Sequence, residues 1–336
     1  MLESCMVTRR RFFTTTLSTV FGARSVLSQV AQRRHRLADM LANDQDPSVA
    51  PARPDPASWD NSALTAAWIG HSTILINFFG INIITDPVLS ERIGLNIAGL
   101  FTIGPRRLVQ PSLAFEDLPR IDLILISHAH WDHLDTPTVK RFDRSIPVVM
   151  AKGTADIIED FEFQKVYELD WGHRAVIGAL TVEALPVKHF GWRYPWEQDR
   201  SRGNPDGRSY NAYLLSHKGR HIVFGGDTAY LETFRALRTR QLPIDLAMMP
   251  IGAYDPWITN HATPEQSLAM TDQMGSSAIL PMHWGTFIQS EEPTTEPIER
   301  LRQALGTTSL CLALEAIGQT WSVAAPGGEV RGTVNG

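Results

Sequence analysis

A ten-residue stretch of this chain, ISHAHWDHLD at 126–135, holds three histidines and two aspartates directly behind an apolar run. His128 and His130 are two residues apart, so in extended backbone both side chains lie on one face and can bind one metal ion. Asp132 and His133 lie just beyond and are better placed for a second ion. Two divalent ions about 3.5–4 Å apart are a recognised arrangement for hydrolysis. The spacing therefore predicts a two-metal hydrolytic centre.

Three further donors stand where apolar segments end, which is where loops usually build a site. His189 ends LPVKH, Asp227 follows two glycines in IVFGGD, and His283 ends ILPMH. The two cysteines, Cys5 and Cys311, form no C-x-x-C pair, so a metal here must be held by histidine and aspartate. This donor chemistry predicts two divalent ions and favours zinc, with manganese or iron as alternatives.

The composition is that of an ordinary globular protein. The 336 residues are 43% hydrophobic and 20% charged, enough for a sizeable core. The net charge of -5 gives no overall basic surface, which counts against a nucleic-acid partner. No apolar run approaches the length of a membrane span.

The N-terminal segment has a composition of its own. Thr8 is followed by the arginines Arg9 to Arg11 and then by Phe12, which resembles a twin-arginine export signal. The pattern predicts a periplasmic protein. The alternative is a basic leader on a cytoplasmic protein, because Arg24 interrupts the apolar region that should follow the arginines.

A change in composition and in the pattern of apolar residues near residue 60 predicts the domain organisation. Residues 1–60 read as leader and disordered linker, since the segment DQDPSVAPARPDPAS is rich in proline, aspartate and alanine. Residues 61–330 read as a single hydrolase domain. There, strand-like runs come first and then alternate with helical segments, which suits two packed sheets with helices outside, an α/β (α+β) fold. The apolar run at 121–127 predicts a strand buried on both faces, and Thr263 is the expected cap of a helix.

The order of the donors resembles the metal-ligand series of the metallo-β-lactamase superfamily. That series is H-x-H-x-D-H, then a lone histidine, an aspartate after a glycine pair, and another lone histidine. The resemblance implies a four-layer αββα sandwich. It also implies two sets of ligands: His128, His130 and His189 for one ion, and Asp132, His133 and His283 for the other, with Asp227 bridging both.

A narrower resemblance runs from Trp68 to Phe287. The segments WIGHSTILI, TDPVLS, GPRR, LPRIDLILISHAHWDHLD, FGGDTAY, PIGAYDPW, HATPEQS and HWGTF occur in this order. Together they are similar to the N-acylphosphatidylethanolamine-hydrolysing phospholipase D family and its bacterial relatives. The resemblance implies a phosphodiesterase that attacks a phospholipid with a metal-bridging hydroxide. A lactonase or other carboxylic-ester hydrolase is the alternative. We expect a small-molecule or lipid substrate, peripheral contact with a membrane and a homodimer.

Two residues are candidates for the catalytic steps. Asp132 would orient the attacking hydroxide as well as bind metal. His261, in NHATPEQS, matches a histidine near the metals in the phospholipase family and would protonate or steady the leaving oxygen; the alternative is a helix-capping role. His71, in IGHST, would support the metal ligands or simply pack. Loop arginines are either phosphate contacts or solvated charges: Arg106, Arg107, Arg193, Arg200 and Arg202.

If Arg9 and Arg10 belong to a twin-arginine signal, replacing both with lysine is expected to keep the protein in the cytoplasm, because that export route reads the arginine pair. Cell fractionation and immunoblotting compare the double variant with the unaltered chain. A second variant, with Arg33 and Arg34 changed to lysine, controls for the loss of guanidinium groups alone. Equal periplasmic amounts of the first variant and the unaltered chain would exclude the signal.

Overall fold

The chain forms sixteen strands and four α-helices over the residues that the computed structural model describes, which are 45–97, 101–306 and 308–324. In chain order the strands are β1 (Leu64–Gly70), β2 (Thr73–Phe78), β3 (Asn82–Thr85), β4 (Leu95–Ile97), β5 (Phe101–Ile103), β6 (Leu123–Ile126), β7 (Val148–Ala151), β8 (Val166–Leu169), β9 (Arg174–Ile177), β10 (Leu180–Leu185), β11 (Ala212–His217), β12 (Arg220–Phe224), β13 (Ile244–Pro250), β14 (Ala278–Met282), β15 (Cys311–Leu312) and β16 (Thr320–Val323). The helices are α1 (Thr136–Val139), α2 (Arg235–Thr239), α3 (Pro264–Met274) and α4 (Glu296–Leu305).

The strands divide between two seven-stranded sheets and one small hairpin. The first sheet has the order β16-β1-β2-β3-β6-β7-β8 and the second β15-β14-β13-β12-β11-β10-β9, while β4 pairs with β5. Strands β3, β6, β7 and β8 run parallel, and so do β12 to β15. Parallel strands end at the same edge of a sheet, so the loops that follow them leave each sheet side by side.

Each central strand is buried on both faces, and its alternate residues enter different layers. In β6, Leu123 and Leu125 pack between the two sheets, whereas Ile124 and Ile126 face outward. Outward-facing residues of the second sheet pack against α2, α3 and α4. On the first sheet the covering layer contains α1 and short 3-10 turns. The result is a four-layer αββα sandwich, and the predicted fold class is confirmed.

The helical layer over the first sheet is thinner than the alternation of strands and helices predicts. Helix α1 has only four residues, and the segment Ala155–Phe161 is a 3-10 helix. Helix α3 follows the prediction closely. Thr263 accepts a hydrogen bond from Gln266 N at 3.3 Å, and the Gln266 side chain accepts from Thr263 N at 3.0 Å. This capping box places the N-cap of α3, Thr263, two residues after His261.

The predicted disordered linker is wrong for residues 45–60, which pack against the domain. Ser48 pairs with Val109 in an isolated bridge, and Ala52 N donates to Ile317 O at 3.2 Å. The prolines remove N–H donors, but other backbone groups of this segment find partners, as when Ser48 N donates to Leu108 O at 2.9 Å. The predicted export signal lies outside the described residues. Within them, no helix is long and apolar enough to cross a membrane.

Candidate metal centre

The H-x-H-x-D-H motif occupies the loop that follows β6. Its turn is held from within by Leu134 N, which donates to His130 O at 2.8 Å. The buried guanidinium of Arg193 holds it from outside, donating to Ala129 O at 2.8 Å and to Leu134 O at 2.9 Å. The Arg193 guanidinium also lies over the ring of Trp131, 5.3 Å from its centroid. These contacts fix the motif loop against the segment that follows His189.

The first cluster contains three histidines and Asp227. His130 Nδ1 lies 2.8 Å from His128 Nε2 and 3.3 Å from His189 Nε2. Asp227 Oδ2 lies 4.0 Å from His128 Nε2 and 3.8 Å from His189 Nε2. All three ring nitrogens and the carboxylate therefore converge on one small volume.

The second cluster shares Asp227 with the first. His133 Nε2 and His283 Nε2 each lie 3.1 Å from Asp227 Oδ2. They also lie 3.4 Å and 3.2 Å, respectively, from Asp132 Oδ2. His71 Nε2 approaches the same Asp132 oxygen at 3.0 Å. The structure thus brings all seven predicted ligands together, with Asp227 between the two sets and His71 in contact with one of them.

The side chains in the two clusters fit divalent metal ions. His133 Nδ1 faces Asp86 Oδ2 at 2.6 Å, and His189 Nδ1 faces Asn260 O at 3.0 Å. Both partners are acceptors, so the Nδ1 atoms carry the protons and the Nε2 lone pairs point inward. Within the described part of the chain, His133 Nε2 and Asp227 Oδ1 are buried without hydrogen-bond partners. Inward lone pairs facing carboxylate oxygens are the donor set that a cation requires.

Without metal ions, the buried carboxylates and imidazoles of the two clusters shift one another's pKa values. Burial alone would raise the pKa of Asp227, but His133 and His283 hold it well below its ordinary value. Burial alone would lower the pKa of His283, but Asp227 and Asp132 raise it to about 9. Burial and its histidine neighbours lower the pKa of His130 to about 3. Protons on some imidazoles offset the carboxylates where metal ions would otherwise do so, and metal binding would release them.

Sequence reasoning gave no role to Asp86, which lies in the TDPVLS segment. Its Oδ1 accepts from Ser127 N at 2.7 Å, and its Oδ2 accepts from Ser127 Oγ at 2.6 Å as well as facing His133. Ser127 Oγ also lies 2.9 Å from His128 Nδ1. One buried carboxylate thereby sets the orientation of a ring in each cluster. No local spacing signals this role, because Asp86 and His133 are brought together by the pairing of β3 with β6.

His261 lies at the metal centre and does not cap a helix. Its Nδ1 is 3.9 Å from Asp227 Oδ2, and its ring centroid is 5.1 Å from that of His189. Thr263 supplies the cap of α3 instead. Burial lowers the pKa of His261 well below 6.5, so its imidazole is neutral near pH 7.

The loop arginines that the sequence offers as phosphate contacts are engaged within the protein. Arg107 is buried and donates to three backbone carbonyls, and Arg193 donates to two. Arg106 and Arg200 form ion pairs with aspartates, and Arg202 lies over the ring of Trp192. The guanidinium groups of Arg107 and Arg193 are buried and bonded to backbone carbonyls, which argues against a phosphate contact for these two.

A cavity of about 490 Å³ opens onto the two clusters. One part of its wall is polar and includes His261 and four of the candidate ligands, which are His130, Asp132, Asp227 and His283. Another part is apolar and includes Phe190, Trp192, Ala253 and Trp257. A second cavity, of about 520 Å³ and lined by residues such as Phe115 and Arg141, contains none of the histidines. The chemistry therefore points to the first cavity as the substrate site.

Comparison with known proteins identifies the family. The model of the beta-lactamase superfamily domain matches residues 81–284, more than half of the chain. The chain therefore belongs to the beta-lactamase superfamily. With this family membership and its His/Asp clusters, it is a metal-dependent hydrolase of the metallo-β-lactamase fold.

Individual proteins are also similar to this chain in sequence or in fold. An uncharacterized protein of Mycobacterium tuberculosis is 34% identical over 277 residues, covering 80% of this chain and 71% of that protein. N-acyl-phosphatidylethanolamine-hydrolyzing phospholipase D 1 of Caenorhabditis elegans is 28% identical over 261 residues, covering 73% of this chain and 70% of that protein. The solved structure of Igni18, a metallo hydrolase from Ignicoccus hospitalis, has a TM-score of 0.57 and 18% identity, covering 79% of this chain and 100% of that chain. That last similarity concerns the fold.

Replacing Asp227 with alanine is expected to remove most of the metal from both clusters, because Asp227 is the carboxylate that they share. Elemental analysis of the purified variant, against the unaltered protein at about two ions per chain, measures the loss. His173→Ala, an exposed histidine outside the clusters, is the matched control and should keep its metal. Full metal content in the Asp227 variant would show that this residue is not a bridging ligand.

Proposed function

We propose that this hydrolase is a phosphodiesterase that cleaves N-acylphosphatidylethanolamine-like phospholipids, in a reaction of the phospholipase D type, with two zinc ions. The observation that carries the proposal is that one cavity contains both metal-binding polar side chains and an apolar aromatic wall. The candidate ligand Asp132 and the candidate acid His261 share that cavity with the aromatic rings of Phe190, Trp192 and Trp257. The similarity to the phospholipase of Caenorhabditis elegans supports the substrate class.

In this reaction water adds to phosphorus, and the bond from phosphorus to the oxygen of the N-acylethanolamine breaks. The products are phosphatidate and an N-acylethanolamine. When bound by the two clusters, divalent ions would neutralise phosphate charge and lower the pKa of water. The remaining tasks, which are orienting the nucleophile and delivering a proton to the leaving oxygen, fall to side chains.

We assign these two tasks to Asp132 and His261, and the contacts of both side chains support the assignment. The Asp132 carboxylate is buried, and His71 holds its Oδ2 at 3.0 Å, so it can accept a hydrogen bond from water in a fixed direction. His261 lies in the cavity wall with its Nδ1 buried and without a hydrogen-bond partner among the described residues. Delivery of a proton requires the imidazolium form of His261, which a neighbouring phosphate anion would favour, whereas the neutral imidazole can only donate a hydrogen bond to the leaving oxygen.

Histidine-rich ligation favours zinc at both clusters, while manganese and iron also accept imidazole and carboxylate. Each cluster combines two or three imidazoles with carboxylate oxygen, and over the described part of the chain its donors include no sulfur. Zinc suits this mixture and tolerates the open coordination position that a reacting molecule needs.

The cavity wall supports a lipid substrate in peripheral contact with a membrane. Trp257 lines the cavity and is 47% exposed, and its neighbour Ile258 is 45% exposed. Tryptophan is favoured at membrane–water interfaces, where its ring is apolar and its N–H polar. Acyl chains would lie against the aromatic wall while the phosphate reaches the metal centre.

A lactonase or other carboxylic-ester hydrolase is the second candidate. One observation favours it: the described residues that line the cavity include no lysine or arginine. An uncharged ester needs no cationic side chain, whereas a phosphodiester would depend on the metal ions alone for charge compensation.

The metal-loaded protein is expected to release phosphatidate from N-acylphosphatidylethanolamine in vesicles and to leave a panel of acyl lactones intact. In water enriched in oxygen-18, the label should enter phosphatidate and not the N-acylethanolamine, because the P–O bond to the alcohol breaks. Mass spectrometry of both products measures this, and sedimentation with the vesicles tests membrane contact. Lactone hydrolysis without phosphatidate release would contradict the phosphodiesterase and favour the second candidate.

His261→Ala is expected to keep the metal and the fold but to lose about 10²–10⁴-fold in rate, the usual size of general acid catalysis. The loss should shrink for bis-p-nitrophenyl phosphate, since nitrophenolate leaves without a proton. Steady-state rates on the lipid and on the nitrophenyl ester, with elemental analysis of each preparation, measure both effects. Equal losses on the two substrates would rule out proton transfer, and loss of metal would identify His261 as a ligand.

A further inference from the structure

Gln289 lies in the wall of the metal-centre cavity, and neither the ligand sets nor the acid role of His261 involves it. We propose that Gln289 is a substrate-binding residue. One N–H of its side-chain amide holds the Asp132 carboxylate, and the other donates to an anionic or carbonyl oxygen of the substrate. The inference rests on the proposed function for the nature of that oxygen.

The orientation of the amide follows from its partner. Gln289 Nε2 lies 2.6 Å from Asp132 Oδ2. An ionised carboxylate only accepts hydrogen bonds, so the NH₂ side of the amide must face Asp132. Over the described residues, the side chain makes no other hydrogen bond. One N–H donor and the carbonyl oxygen Oε1 are therefore left for a molecule in the cavity.

Hydrogen bonds from neighbouring residues hold the backbone around Gln289 in place, unlike that of a free surface side chain. Trp257 Nε1 donates to the backbone oxygen of Gln289 at 3.3 Å. Two residues further on, Glu291 N donates to Asp255 O at 2.7 Å, and the Glu292 carboxylate accepts from Asp255 N at 3.1 Å. The segment that carries Gln289 is thus tied to the loop that carries Trp257. Such support fixes the direction of a binding group.

A neutral donor suits this part of the cavity. A lysine or arginine next to Asp132 would compete with the metal ion for the carboxylate, whereas an amide adds a directed hydrogen bond without adding charge. Two other donors in the wall are already committed: Ser201 Oγ donates to Asp199, and Trp257 Nε1 to Gln289 O. Gln289 retains an N–H that its neighbours do not use.

Inorganic phosphate is the probe, because it carries the oxygens of the scissile group and requires no turnover. Isothermal titration of the metal-loaded, full-length protein measures its Kd, and elemental analysis measures metal content. Gln289→Met keeps the length of the side chain but removes the donor. Gln289→Glu keeps the shape and adds a negative charge. Gln164→Met, at an exposed site on the first sheet's side of the molecule, is the matched control.

We expect Gln289→Met to keep the metal content of the unaltered protein and to raise the Kd for phosphate about 10- to 100-fold, the range for a hydrogen bond to a charged group. Gln289→Glu should raise it further, through repulsion of the anion, and Gln164→Met should leave it unchanged. An unchanged Kd in Gln289→Met, or an unaltered protein that binds no phosphate, would overturn the proposal. Loss of metal together with phosphate would also overturn it, since Gln289 would then act only by positioning Asp132.

The two proposals fail in different experiments. Phosphatidate release by the unaltered protein reports on the phosphodiesterase, whatever Gln289 does. The phosphate affinity of the variants reports on Gln289, even if the natural substrate proves to be a carboxylic ester.

Discussion

The burial of two carboxylates, Asp132 and Asp227, is the constraint on which the rest of the structure depends. A buried carboxylate is costly unless cations or hydrogen-bond donors surround it. Here imidazole nitrogens approach both groups, and His133 and His283 lie 3.1 Å from Asp227 Oδ2. These histidines come from different sheets, so the carboxylates are compensated only when both sheets are in place. The same compensation creates a pair of clusters that fit divalent cations, which links the stability of the folded chain to its chemistry.

The parallel strands provide the convergence that this compensation requires. The loops after β6, β12 and β14 carry the motif histidines, Asp227 and His283, and all leave the sheets at neighbouring edges. A further set of residues then fixes the direction of each ring. Asp86 holds the His133 ring, and Arg193 holds the backbone of the motif loop at two carbonyls. Because metal ions require their ligands within a few tenths of an ångström, these outer contacts matter nearly as much as the ligands themselves.

The cavity at the metal centre has one polar wall and one apolar wall. Its polar wall gathers His261, Gln289 and the metal-facing carboxylates, and its apolar wall presents aromatic rings that reach the surface at Trp257. The proposed amphipathic substrate rests on this pairing of a polar and an apolar wall. Among the described residues that line the wall there is no arginine, although arginines are frequent in the loops nearby. Those side chains serve the scaffold: Arg107 and Arg193 are buried and bonded to backbone carbonyls.

The sequence by itself determined the features whose signals are local. The alternation of donors in H-x-H-x-D-H, the apolar run of β6 and the cap at Thr263 each depend on a few consecutive residues, so spacing and propensity predicted a metal centre, a buried strand and a helix start. Tertiary structure alone decided the rest. Asp86 meets His133 across the pairing of β3 with β6, Arg193 reaches back to the motif loop, and residues 45–60 pack against distant segments. Each of these contacts joins residues far apart in the chain, and which side chains meet there is set by how sheets and loops pack, a property that no short stretch of sequence encodes.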